Sequence, residues 1–431
     1  MLSETERRVV AAVDELFEEE LAFAQALVRI PTVNPPGSHY ADCAELVRRH
    51  LADLGYAVQV LPADGMPEHT LDNPRLNVLA RLALGSSIGP TVHYNGHVDV
   101  VPPGTGWQVD PFAGRVEDNR LYGRGTSDQK AGIAASVYAV EAIRRSGAPI
   151  AGSVEQSATV DEESGGFAGV AWLCDQGLIR RDRQYAVVIT EPLDPERIGI
   201  GHRGVYWFEV STLGRVGHGS MPGLAVDAID HMNRVLHAVD ARLRPRLAAR
   251  RTAAPVEPPS ARQPTISVNA LHGGQPLGNP QTPCVPDRCT AIFDRRFLHE
   301  EPFDNVRGEV VELLERLRLQ DDRFRYELRD LMRVDPLLGD PNGTLAQTTA
   351  GAIEDVVDRR AAFVVSPGTF DQKHVVRRAG IAECIGYGPG RLILAHQPNE
   401  HIALDDLRVG TRVLAVLTLR LLGAGSGKEN G

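Results

Sequence analysis

The sequence predicts an α/β protein with a mostly parallel central sheet, interrupted by a smaller inserted domain. Three observations carry that prediction. Between residues 3 and 200, apolar runs of strand length alternate with segments of helical period. Near Gly201 the texture changes to a βαββαβ-like set. After about Asp335, helix and strand patterns resume through Leu422. The chain has 431 residues, more than one hydrophobic core usually serves, so two domains are expected. The boundaries read as 1–202 and 334–431 for the two parts of the larger domain and 203–333 for the insertion.

The elements follow in order. Ser3 stands as an N-cap with Glu6 in the reciprocal position, and Val9, Val13, Leu16, Leu21, Phe23 and Leu27 recur at helical spacing, which predicts a helix over 3–29. Pro31 and the Asn34-Pro35-Pro36-Gly37 turn stop it. A second helix spans about 40–54, followed by strands at 58–61, 77–84 and 91–94. A helix over 132–146, a strand over 152–160, a helix over 165–175 and a strand over 185–189 continue the alternation. In the insertion, residues 205–213 alternate as a half-exposed strand, a helix covers 225–243, and the Pro/Ala/Arg-rich stretch 244–263 reads as a loop. Strands at 265–271 and 288–296, a helix over 305–317 and a strand over 323–331 complete a ferredoxin-like unit. Residues 423–431 read as a disordered tail.

Composition excludes several classes. A formal charge of −10, with no basic cluster, argues against a nucleic-acid surface. Five scattered cysteines make neither a disulfide framework nor a zinc knuckle. No run approaches the ~18 apolar residues of a membrane span, and no apolar segment follows the N-terminus as in a signal peptide. A cytoplasmic setting is the expectation, with no membrane or nucleic-acid partner.

The most informative segment is Asp161-Glu162-Glu163, three carboxylates closing the apolar run 151–160 ahead of Gly165-Gly166. Like charges that approach a core repel and lose solvation, so they need cations, from solvent or from bound metal. A solvated strand end satisfies the triplet taken alone; its company points to metal. His97 and Asp99 follow the run 91–94 and project to one side of an extended chain. Carboxyl strand ends are where open α/β sheets place their sites. Asp128 follows the Gly123-Arg124-Gly125 turn before a helix, which suits an N-cap or, beside metal, a bridging ligand. Glu191 ends the run 185–189, and His396 closes 391–394, read as a strand.

Two His, one Asp and two Glu from five strand ends or turns form the ligand set of two borderline-soft divalent ions. Zn²⁺ is the default; Co²⁺ or Mn²⁺ suits the same donors. Two such ions give +4, Asp128, Glu163 and Glu191 give −3, and a bridging hydroxide gives −1, a neutral cluster as burial requires. Asp99 and Glu162 are then left off the metals, to orient His97 and to move protons.

These segments resemble the co-catalytic two-metal deacylases and exopeptidases that include acetylornithine deacetylase, succinyl-diaminopimelate desuccinylase, aminoacylase and carboxypeptidase G. The resemblance rests on GHVDVVPPG, GRGTSDQKAG, VDEESGG, TEP, GHGSMPGLAVDAI, VPDRCTAIFDRRF and AHQPNEHIALDDL, seven motifs in the family's order over nearly the whole chain. It implies a metallo-exopeptidase-like catalytic domain with an inserted lid and dimerisation domain. One metal would be held by His97 and Glu191, the other by Glu163 and His396, with Asp128 bridging. Glu162 would be the general base for a metal-bridging hydroxide, and Asp99 the partner of His97. His218 would reach across a lid–lid homodimer to steady the oxyanion. Arg203 and Arg296 fall where the family grips a substrate carboxylate, with a salt bridge to Asp294 as the other reading of Arg296.

Two departures stand out. The family's glycine pair, asparagine and Val-Pro recur with stretched spacing as Gly273-Gly274, Asn279 and Val285-Pro286, giving Asn279 as a substrate contact. The Thr369-Phe370-Asp371 core is kept, but Lys373 and His374 stand where the family's amino-acid deacylases commonly have a small residue and an arginine; the resemblance implies that this loop, with Thr369 and His374, lies near the substrate. The function implied is a metal-dependent amidohydrolase acting on a small N-acyl amino acid with a carboxylate. The alternatives are a dipeptidase or carboxypeptidase, a hydrolase of another C–N bond such as a formamide or aromatic amine, and a metal-dead binding protein.

Overall fold

The computed structural model describes residues 1–274 and 283–423, with the backbone alone at 86–88. The chain divides into two compact units. The first comprises Met1–Ile200, Gly339–Val364 and the chain from Phe370 onward; the second comprises Gly201–Leu338 and returns for Val365–Thr369.

The first unit is built on a mixed, mostly parallel sheet. Leu76–His97 pairs in parallel with Ala151–Thr159 and with Ala186–Pro192, and Cys384–Gly388 runs parallel to Ala186–Pro192. Antiparallel neighbours flank this core, Ala57–Pro62 on one side and Arg197–His202 on the other. Every residue of Ala186–Pro192 is buried, as a continuous apolar run in a sheet covered on both faces requires. Helix Ala131–Ser146, almost wholly buried, packs against helices Glu4–Val28 and Leu404–Leu422. The first of these begins with the expected capping box of Ser3 and Glu6.

In the second unit the four-stranded antiparallel sheet has the order Thr265–Gly273, Arg288–Phe297, Gly204–Leu213, Arg325–Val334. That is second, third, first and fourth strand in chain order, the ferredoxin-like arrangement. Its core joins Phe208 and Val210 of the first strand to Met232 and Val235 of helix Ala228–Ala238 and Leu314 of helix Phe303–Gln320. Phe208 and Phe293 stack across it with centroids 5.0 Å apart.

Four expectations are corrected. The runs 77–84 and 91–94 belong to one continuous strand, Leu76–His97. Of the helix expected over 165–175, only Trp172–Asp175 is α-helical. Gly165 and Gly166 start the segment in left-handed conformations (φ 114° and 75°), and a Cβ at Gly169 would lie 2.2 Å from the Val160 carbonyl oxygen. The run 391–394 is a 3-10 turn, Leu392–Leu394, because its side chains find no buried face and Ile393 is 80% exposed. The loop expected over 244–263 opens with a helix, Arg244–Ala248, anchored by buried Leu247. The expected tail lies outside the described residues from 424 onward. Among the described residues no helix is long and apolar enough to cross a membrane.

Candidate metal centre

Strand ends and turns of the first unit deliver five candidate ligand side chains into two overlapping groups. His97, Asp128 and Glu191 form one, and Asp128, Glu163 and His396 the other; within each, ligand atoms lie within 4.8 Å of one another. Asp128 belongs to both. Its Oδ1 lies 3.1 Å from His97 Nε2 and its Oδ2 lies 3.4 Å from His396 Nε2, so its two oxygens face two imidazoles. Glu163 Oε1 lies 2.9 Å from His396 Nε2. Glu191 accepts a 2.5 Å hydrogen bond from the Gln129 amide, which fixes its rotamer from the next residue after Asp128.

His97 shows how the imidazole is oriented. Its Nδ1 donates to the Asp99 backbone carbonyl at 2.9 Å, with Asp99 Oδ1 at 3.5 Å, leaving Nε2 as the ligand atom. Asp99 does more than orient His97. Its Oδ1 accepts from the Glu162 backbone N–H and its Oδ2 from the Glu163 N–H, each at 3.1 Å, and Asn34 donates to Oδ2 at 3.2 Å. One carboxylate therefore fixes the His97 ring and the turn that carries Glu162 and Glu163.

The electrostatics fit a pair of divalent cations. Burial pushes the Glu163 carboxyl up to about 7, with the Asp128 charge adding to it. Burial and the Asp128 charge likewise hold Glu191 well above the usual carboxylate range. Burial opposes the charged form of His396, but hydrogen bonds to Asp128 and Glu163 overcome it and raise its pKa to about 11. His97 is held high in the same way by Asp128 and Asp99. Three carboxylates converge with two imidazoles as the cationic groups facing them among the described residues, and the donor chemistry of the set, N and O, is that of zinc-type ions.

An ion pair locks this geometry from behind. Arg124 and Glu400 are buried, with Arg124 Nη1 2.5 Å from Glu400 Oε2. Glu400 Oε1 accepts from the backbone N–H groups of Gly125, Ser127 and Asp128 at 3.0, 3.0 and 3.1 Å. Arg124 also donates to the carbonyls of His396 and Gln397, each at 3.3 Å. Neither residue was singled out from sequence, although Glu400 lies in the His396 motif and Arg124 in the turn before Asp128. Asp161, the first carboxylate of the triplet, is the partner of Arg75 (2.9 Å) and accepts from Tyr40 (2.8 Å).

The other expected site residues have different surroundings. The Glu162 charge acts on Glu191, and Lys373 Nζ lies 3.1 Å from Glu162 Oε1. His374 donates through Nε2 to the Gly165 carbonyl at 2.7 Å, bracing the turn that follows Glu163. In the second unit, Arg203 is pinned by the carbonyls of Pro367, Ala261 and Gln263 through Nε and Nη1, and its Nη2 has no partner among the described residues. Arg296 makes a two-pronged pair with Asp294, at 2.7 and 2.8 Å. The Thr369 hydroxyl is buried without a partner among the described residues. His218 is exposed, and its Nδ1 accepts from the Ser220 N–H at 3.1 Å, which leaves the ring proton on Nε2. Asn279 lies outside the described residues.

Two candidate cation groups that share one carboxylate suit a metal-dependent hydrolase. The chain belongs to peptidase family M20/M25/M40, whose model matches residues 93–420. A succinyl-diaminopimelate desuccinylase of Methylobacterium radiotolerans is 31% identical over 395 residues, covering 90% of this chain and 93% of that protein. Among solved structures, the di-peptidase Dug1p of Saccharomyces cerevisiae superposes with a TM-score of 0.80 at 16% identity, covering 97% of this chain and 98% of its own. The Bacillus subtilis YXEP protein, a dinuclear metal-binding peptidase of family M20, superposes with a TM-score of 0.62 at 15% identity, covering 95% and 99%.

Proposed function

We propose that the chain hydrolyses the amide bond of a small N-acyl amino acid carrying carboxylates, with succinyl-diaminopimelate as the first candidate. The observation that supports this reading is a pair of candidate ligand groups that share Asp128, with Glu162 next in the chain to Glu163 and its charge acting on Glu191. A pair of divalent ions in those groups, zinc by default, supplies an acidified water and a polarised substrate carbonyl. His97, Asp128 and Glu191 would hold one ion and Asp128, Glu163 and His396 the other. Asp99 keeps the His97 ring and the 162–163 turn in register. Glu162 takes the proton of the attacking water and passes it to the nitrogen of the leaving amine.

Arg203 supports recognition of the substrate carboxylate: three carbonyls hold the guanidinium rigid and Nη2 remains to donate. The Nε2–H of His218 suits it to stabilise an oxyanion, the role that the family's lid–lid dimer gives to this residue. Five cysteines without disulfides suit the cytoplasm. Lys373 and His374 hydrogen-bond to Glu162 and Gly165, so the Lys373-His374 pair lends no weight to a formamide or aryl-amine substrate.

The test is a panel of succinyl and acetyl amino acids set against dipeptides, with zinc-loaded protein. The reading expects cleavage of the N-acyl amino acids and a fall in kcat of about 10²–10⁴-fold for Glu162→Gln with both metals retained. Unchanged hydrolysis by Glu162→Gln would sink the mechanism, and preference for dipeptides would move the chain to the peptidase reading.

A further inference from the structure

We propose that Lys373 is a positioning residue for the general base, holding Glu162 Oε1 so that its other oxygen is presented to the reacting water. This rests on the role of Glu162 given above. Lys373 is buried, its side chain 2% exposed, and its ammonium lies 3.1 Å from Glu162 Oε1 and 3.9 Å from Asp371 Oδ1. Glu162 Oε2 has no hydrogen-bond partner among the described residues. A buried lysine with two carboxylates is not a solvated surface pair; each charge depends on the others for compensation.

The short helix Gln372–Arg377 and the residue before it grip the Glu162–Gly166 turn at three points. Lys373 holds Glu162, His374 holds the Gly165 carbonyl, and Asp371 packs on Gly166 so closely that a Cβ there would sit 2.4 Å from Asp371 Oδ1. Asp371 is itself fixed by a directed chain of hydrogen bonds from the sheet. Asn95 Nδ2 donates to Asp371 Oδ2 at 3.2 Å, and Asn95 Oδ1 accepts from Ser157 at 2.7 Å and Thr159 at 3.2 Å. His93 Nε2 meets Ser157 Oγ at 2.8 Å. Because Ser157 gives its proton to Asn95, it accepts from His93, and no amide or hydroxyl in the chain is free to rotate. Among the described residues Asp371 Oδ1 has no hydrogen-bond partner; it is buried, 3.9 Å from the ammonium. Lys373 is thereby held from the sheet side and holds Glu162 on the metal side.

The experiment compares Lys373→Met, Lys373→Gln and Lys373→Arg in the zinc-loaded protein, with succinyl-diaminopimelate as probe. Lys373→Met is expected to lower kcat about 10²-fold, the cost of misplacing a reacting group by about 1 Å, with KM and two-metal occupancy unchanged. Lys373→Arg should restore kcat to within about tenfold of wild type, since it keeps charge and reach. In a Glu162→Gln background the Lys373→Met loss should vanish. A parallel double-mutant cycle on urea unfolding of the metal-free protein reads the Lys373–Glu162 coupling without any turnover. That arm still decides if the wild type cleaves none of the N-acyl amino acids, which would count against the function and not against the pair. If Lys373→Met fails to fold, Lys373→Gln carries the same comparison. The proposal is overturned by a kcat that stays within about threefold, by a loss of equal size without Glu162, or by zero coupling in unfolding.

Discussion

Glu20 is wholly buried on helix Glu4–Val28, where Thr411 donates to Oε1 at 2.5 Å and Oε2 meets no partner among the described residues. Burial raises its pKa to about 8, against the ordinary 4.5. The folded state therefore binds one more proton than the unfolded state between these values, so stability falls as pH rises from about 4.5 to about 8. The loss across that window is on the order of several kcal/mol. Glu20→Gln should remove this slope and leave the protein more stable than wild type at pH 9, read by urea unfolding at pH 5, 7 and 9. The same physics explains what the sequence revealed at the metal centre. The five candidate ligands stand out in the sequence because each closes a short apolar run or a glycine turn, a local pattern. The partners that hold them were not, because they are distant in the chain: Arg75 and Tyr40 lie 86 and 121 residues from Asp161, and Lys373 lies 211 from Glu162. Local pattern marks a carboxylate as costly; only the fold shows which cation compensates it.

Three elements of the centre meet at the Arg124–Glu400 pair: the turn carrying Asp128, the turn carrying His396, and the segment through Pro103, whose carbonyl lies 3.2 Å from Arg124 Nη2. Glu400 collects backbone N–H groups as an anion in a nest, and burial raises its carboxyl to about 7 despite Arg124. Glu400→Gln would set an amide NH₂ against N–H donors and leave Arg124 buried without its counter-charge. We expect metal affinity to fall about 10–100-fold by chelator competition, and the metal-free protein to lose about 3–5 kcal/mol in chemical unfolding. An unchanged affinity would show that the two ligand-bearing turns are held by other contacts. Elements were harder to read from sequence where burial, not period, decides. Leu392-Ile393-Leu394 has the composition of a strand and the exposure of a turn, and the 165–175 segment has apolar residues at helical spacing on a backbone that its glycines at 165, 166 and 169 bend away from a helix.

At the scale of the whole molecule, the second unit presents what the proposed homodimer needs. Its sheet ends on Thr265–Gly273, an edge strand of nine residues, and long edges in native proteins are covered or blunted. On it Leu271 is 56% exposed, and Ile229, 45% exposed, lies beside Gly273. Apolar side chains gathered at an edge fit a self-complementary two-fold contact in which the same strand pairs with its copy. Sedimentation should therefore give twice the 46.8 kDa of one chain, and Leu271→Lys with Ile229→Lys should give the single mass with two metals still bound. If His218 serves the partner's centre, neither His218→Ala nor Glu162→Gln protein alone is active. A co-refolded equal mixture should recover about a quarter of wild-type activity, because half the dimers then hold one centre with both residues intact. A mixture as inactive as its two inactive components would place His218 in its own chain's chemistry, and an active His218→Ala protein would place it in none.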